Sequence, residues 1–398
     1  SPAPPTLPSD DREDDREDGR EDGREDDRED DREDDRASDR AAHRTARALR
    51  LGATLAGAAL AAVAAAALHV PLPWLIGPLV VSALAGVLGV PLLASQRLRN
   101  VGQWAIGVTL GLYFTPEVVG LVARLAPAIG VGVVWALGLG WAFHRLLQRW
   151  NPGLDAGTTF FSAAIGGASE MAVLADRHGA RIDRVAAAHS LRVLIVVLVL
   201  PFALLASGVH GLDPQVPAAA AVRPLGLAQL AALTLVGVAL MARLGLPNPW
   251  VLGALGVTAA LTSAGVTWSA LPPALTHAGQ LFIGVALGAR FTPAFVHAAP
   301  RWLASIAGGT LVLIAVSAGF GALLAHATGL HPSTGVLATA PGGIAEMCIT
   351  AQGLQLGVPV VTAFHVLRYL AVLLLTAPLF RWEQRRLRRR SAAGSTPP

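Results

Sequence analysis

The 398-residue sequence predicts an all-α polytopic membrane protein of two homologous repeats, the second inverted relative to the first, with about ten transmembrane helices and two re-entrant or broken helices. Three observations carry that expectation. Only 15% of the residues are charged and 53% are hydrophobic, whereas soluble domains carry roughly 25% charged residues. From Leu51 onward the chain falls into apolar runs of about 17 to 25 residues, the length that crosses roughly 30 Å of hydrocarbon at ~1.5 Å per residue. Blocks of sequence in the first half also return, in the same order, in the second.

Residues 1–40 hold 19 acidic side chains and eight arginines. Their Asp-Arg-Glu-Asp units, from Asp11 to Arg36, contain nothing apolar to bury, so the segment reads as a disordered, solvated tail that would repel phosphates. A cleaved signal peptide has a short basic n-region; this long acidic stretch argues instead for a retained first helix. The runs that follow are Leu51–Leu68, Trp74–Val90, Pro127–Phe143 and Val185–Leu205 in repeat one (46–207). A linker rich in Pro, Ala and Gly (208–224) leads to Leu225–Ala242, Trp250–Val266, Ile306–Leu324 and Val358–Phe380 in repeat two (225–380). An Arg-rich tail, 381–398, ends the chain. Glycine and proline inside the runs fit, because membrane helices tolerate both. The lone Cys348 excludes an internal disulfide.

The repeat has an offset of 176 or 177 residues. Pro73-Trp74 with Gly77 returns as Pro249-Trp250 with Gly253, and Gly102-Gln103 with Ile106-Gly107 returns as Gly279-Gln280 with Ile283-Gly284. Gly166-Gly167-Ala168-Ser169-Glu170-Met171 returns as Gly342-Gly343-Ile344-Ala345-Glu346-Met347, and His189 with Arg192 returns as His365 with Arg368. Arginine is enriched on the cytoplasmic side. If the Gly-Gly-x-x-Glu elements do not fully cross, Arg97, Arg99, Arg177, Arg181, Arg184, Arg243 and Arg290 all fall there; a full crossing puts the last five of these outside. This favours five spans and one re-entrant element per half, with both termini cytoplasmic in a bacterial-type inner membrane, although a broken helix could satisfy either topology.

Eight carboxylates lie beyond residue 40, and only Glu170 and Glu346 fall inside the apolar body at equivalent positions. A charge at mid-membrane costs roughly 2.5–3.5 kcal/mol on insertion scales, so such residues face a cavity or a partner. Each follows a glycine pair, Gly166-Gly167 or Gly342-Gly343, that permits unwound backbone and close approach. His189 and Arg192, like His365 and Arg368, are three apart on one helix face, where they could pair with the glutamates or relay protons. Alternatively, the arginines could snorkel to the interface or lock helices together. Gln103 and Gln280 are candidates for substrate contact or for polar glue between helices. No metal-ligand spacing, P-loop or nucleic-acid site appears, so no cofactor, metal or direct nucleic-acid partner is expected.

These motifs resemble the AbrB family of integral membrane proteins: in the second half Pro247-Asn248-Pro249-Trp250 with Gly253, Gly279-Gln280 with Ile283-Gly284, Pro341–Met347, and His365 with Arg368. The first copy departs in having Ile165 where the second has Pro341. The resemblance implies labels rather than residues: family members are described as membrane regulators of gene expression and some as ammonia monooxygenases, with no catalytic site to carry over. The duplicated plan looks like that of secondary transporters, which is analogy at the level of fold. The leading expectation is a non-enzymatic secondary transporter or exporter of a small solute, with proton coupling through the glutamates or histidines. The alternatives are a regulator of gene expression and, remotely, a monooxygenase, which would need several His or carboxylate ligands. The bilayer is the certain partner; a homo-oligomer is left open.

Overall fold

The protein is described from a computed structural model, over residues 43–208, 217, 221–297 and 299–393. Every element among them is an α-helix. The first half holds α1 (His43–Ala67), α2 (Pro73–Val87), α3 (Gln96–Gly111), α4 (Pro116–Arg124), α5 (Ala126–Trp150), α6 (Ala156–Ala163), α7 (Ala168–Arg177) and α8 (Ile182–Ala206). The second holds α9 (Pro224–Arg243), α10 (Pro249–Ser263), α11 (Pro273–Gly288), α12 (Pro293–His297), α13 (Pro300–Thr328), α14 (Pro332–Thr339), α15 (Ile344–Leu354) and α16 (Val358–Ala393). Helix α16 runs on past residue 380 into the segment expected to be a separate tail. The acidic tail 1–40, most of the linker and the last residues of the C-terminal tail lie outside the described residues.

Six helices, α1, α5, α8, α9, α13 and the Val358–Arg386 part of α16, are long and apolar enough to cross a membrane, and they mark the chain as a membrane protein. A seventh span is possible if α3 and α4, bent by 89° at Leu112–Thr115, count as one. Helices α2 and α10 are apolar but shorter. Both begin with proline at the first helical position, where the missing N–H is no loss. Both are also entered through a left-handed residue, Leu72 at φ 52° and Asn248 at φ 51°.

The chain divides into two compact units, Ser1–Ala53, whose described part is the start of α1, and Thr54–Pro398. The expected repeats therefore do not separate as units, and the helix packing inside Thr54–Pro398 explains why. Helix α3 lies on α10 and α11 lies on α2, so each half packs an inner helix against the other half. Glycines make that approach possible. A Cβ on Gly107 would lie 2.5 Å from the Val251 carbonyl oxygen, and one on Gly284 would lie 2.6 Å from that of Leu75. Small residues bring backbones close in this way, and dispersion then holds helices together where lipid supplies no hydrophobic drive. The central apolar cluster accordingly takes side chains from both halves, among them Leu75, Leu110, Val251, Leu287 and Ile349.

Candidate functional site

Two helices are broken at the glycine pairs. Helix α6 ends at Ala163 and α7 starts at Ala168; α14 ends at Thr339 and α15 starts at Ile344. Each break leaves carbonyls unpaired at one helix end and amides at the other, which inside a membrane must find partners.

The carbonyl ends are satisfied by the His-x-x-Arg motifs. Arg192 donates from Nη1 to the Ser162 carbonyl at 3.1 Å and from Nη2 to that of Ala164 at 2.9 Å. Its Nη2 also lies 2.8 Å from Nδ1 of His189, whose Nε2 meets the Phe161 carbonyl at 2.9 Å. The Nε2–H tautomer of His189 satisfies both contacts. The second copy matches: Arg368 donates to the carbonyls of Ala340 and Gly342, and His365 Nε2 lies 2.8 Å from that of Leu337. Cations at a helix C-terminus also complement its dipole.

The amide ends are covered by the glutamates. Gly167 and Gly343 are the N-caps of α7 and α15, which makes Glu170 and Glu346 third residues of their helices. A Cβ on Gly167 would collide with the Glu170 carboxylate, and one on Gly343 with that of Glu346. Each carboxylate thus folds back over its own N-cap, the geometry of a capping box and the favourable end of the dipole. This gives the second glycine of each pair its reason: the space a side chain would occupy holds the carboxylate.

The two breaks face one cavity of about 370 Å³. It is lined by Gly166, Gly167, Glu170 and Arg192 from the first half and by Gly342, Gly343, Glu346 and Arg368 from the second. Gln103 also lines it and donates to the Asn248 amide oxygen at 3.5 Å. Among the described residues neither glutamate is ion-paired; the expected pairing with Arg192 and Arg368 is not formed, because those guanidinium groups serve the carbonyls. The histidines do not line the cavity; their rings are buried behind it. Gln280 lies elsewhere, in a second cavity of about 320 Å³ lined by Thr109, Thr276, His277, Gln352 and Gly353.

Several lining residues escaped the sequence reading: Gln96, Arg99, Asn100, Asn248, Trp250, Arg290 and Tyr369. Trp250 was visible as part of a repeated motif, and Arg99 and Arg290 as topology markers; nothing local marked Tyr369, which lies beside Glu170. Among the described residues no three His, Cys, Asp or Glu side chains gather in a way that could hold a metal ion.

The family described as "Transition state regulatory protein AbrB" matches residues 74–384. Two curated relatives are similar over most of their length. One, named "Uncharacterized protein YhjN", from Bacillus subtilis (strain 168), is 28% identical over 335 residues, covering 77% of this chain and 86% of the relative. The other, named "Putative regulator AbrB", from Escherichia coli (strain K12), is 26% identical over 321 residues, covering 78% and 90%. No solved structure matches. With its glycine-broken helices, their capping glutamates and arginines, and a family match that takes in nearly all of the described residues, the chain belongs to the AbrB family.

Proposed function

We propose that this protein is a secondary transporter of a small solute, built from two inverted repeats of about ten spans in all plus the two broken helices. The observation that carries the reading is the shared cavity, where both Gly-Gly breaks and both intramembrane glutamates meet. Broken helices crossing at a polar cavity are the arrangement by which transporters hold cargo near the midplane.

The second cavity supports the same reading. Helix α15 carries Glu346 at the first cavity and Gln352 at the second, six residues apart and so about 9 Å along the axis. One short helix is then the barrier between two polar spaces. The cavities also take repeat-equivalent parts: Gln103 and Trp250 line the first, while Gln280 and His277, which stacks on Trp74, line the second. Equivalent residues on two different cavities are what inversion produces. The arginine rule puts Arg99 and Arg290, and with them the first cavity, on the cytoplasmic side, and both termini there too, in a bacterial-type inner membrane.

In proteoliposomes challenged with mono- and dicarboxylates, amino acids, sugars and ammonium, Glu170→Gln and Glu346→Gln should abolish the flux the unaltered protein supports while leaving folded protein intact. Unchanged flux in both variants would sink the assignment. A regulatory role is the second reading, favoured by the printed names of the family and of the E. coli relative. It would act through the level of a transported effector or through a partner. Deleting residues 1–40 tests whether the tail is the output.

A further inference from the structure

The first cavity is richer in donors than a cation site should be. Four arginines, Arg99, Arg192, Arg290 and Arg368, line it against two glutamates. In a broken-helix transporter a cation is held by unwound carbonyls and half-helix C-termini. Here the carbonyls of Phe161, Ser162, Ala164, Leu337, Ala340 and Gly342 already accept from His or Arg. The amide ends of α7 and α15, whose first residues line the cavity, are covered by the glutamates, and the groups that remain open are guanidinium groups.

Helix ends alone would not decide the matter, but the arginines do. Arg192 and Arg368 are 2% and 5% exposed, line the cavity, and each keeps an Nε–H with no partner among the described residues. Both guanidinium groups thus bring a buried positive charge to the wall of the cavity. Arg99 and Arg290 repel each other, and Glu346 is within electrostatic reach of both, but neither arginine forms an ion pair among the described residues. Arg290 makes only a 3.4 Å contact with Ser190 Oγ. One carboxylate within reach of two guanidinium groups leaves a net positive charge that a further anion can answer.

We propose that the cavity binds a small oxyanion, a carboxylate above all, between Arg99 and Arg290. The inference deepens the transporter reading and rests on it for the statement that the anion is cargo. The volume of about 370 Å³ lies at the small end of ligand pockets, which suits a metabolite-sized anion. Glu170 and Glu346 stay folded over their own helix starts and moderate the positive charge.

The test has two arms on purified full-length protein in nanodiscs. Trp250 lines the cavity and reports its potential without knowledge of the cargo. Its quenching, isolated by comparison with Trp250→Phe and normalised to free tryptophan amide, should favour iodide over caesium by about threefold or more at low salt. Arg99→Gln with Arg290→Gln should remove that preference. In the second arm malonate, succinate, citrate, phosphate and sulfate are titrated at constant ionic strength, with glucose and tetramethylammonium as controls. At least one of the anions should raise the melting temperature saturably, and the arginine variants should weaken that binding about tenfold or more. Equal quenching by the two ions, no saturable anion effect, or anion binding indifferent to both arginines would each overturn the proposal. Vesicle flux of a cation or neutral solute alone would sink the anion and keep the transporter; anion binding without flux would do the reverse.

Discussion

Replacing Arg192 by methionine tests the claim that the breaks are held by buried guanidinium groups. The substitution keeps the apolar stem and removes three hydrogen bonds, to the carbonyls of Ser162 and Ala164 and to Nδ1 of His189. The three acceptors would then lose a partner that is itself buried, Arg192 being only 2% exposed at the cavity wall. Side-chain hydrogen bonds inside membrane proteins contribute about 0.6 kcal/mol on average and up to about 1.7. Three of them give about 2–5 kcal/mol. Against this stands the relief of no longer burying a cation, which offsets part of the loss. A destabilisation of about 2–3 kcal/mol is therefore expected in reversible unfolding from bicelles. Arg192→Lys should recover part of it, because an ammonium can reach a carbonyl but lacks the fork that engages two. Amide exchange should rise first at residues 164–167, the unwound stretch, before the flanking helices respond. If Arg192→Met unfolds within about 0.5 kcal/mol of the unaltered protein and exchange there is unchanged, the guanidinium does not hold the break.

Two further outcomes follow from the geometry. In a Cys348→Ser background, a cysteine placed at Arg99 should react with a membrane-impermeant maleimide from one side of sealed vesicles only, and one placed at Thr276 from the opposite side only; labelling of both from the same side refutes the two-sided pathway. In a double-mutant cycle, Glu346→Gln and Arg368→Met should add to within about 0.5 kcal/mol, because the two side chains serve different helix ends and share no bond; a coupling above about 1 kcal/mol would restore the ion pair that the sequence invites.

Much of this was legible before any coordinates, for identifiable reasons. The repeated blocks marked the elements that form the cavity, and the scarcity of carboxylates isolated Glu170 and Glu346. The roles were harder to see. His189 and Arg192 read as partners for the glutamates because opposite charges in an apolar chain invite pairing. Their true neighbours are carbonyls of α6, which carry no side-chain signature in the sequence. Gln103 and Gln280 read as substrate contacts or as polar glue, and they line two different cavities, since equivalence along the chain is not proximity in space. The glycine N-cap followed three residues later by glutamate was on the page as a capping-box spacing. Glycine beside a charge also reads as simple backbone freedom, which hides the helix start.

The pairing of motifs then has a single physical cause. A helix broken inside a membrane exposes a negative end and a positive end, and neither can be left to water. In each half a glutamate answers the amide end from within its own helix, and an arginine with its histidine answers the carbonyl end from the long helix that follows. The glutamate needs a glycine beneath it, and the arginine needs histidine one turn earlier to take the remaining carbonyl. Gly-Gly-x-x-Glu and His-x-x-Arg therefore appear together in both halves because each completes one end of the same break. Once both ends are satisfied by the chain itself, the cavity between them needs no resident ion to be stable. It is left with the guanidinium groups of Arg99 and Arg290 along its lining, with Glu346 the carboxylate in electrostatic reach of both. On the proposed reading, such a site could empty and refill, which a carrier requires and a structural ion pair does not provide.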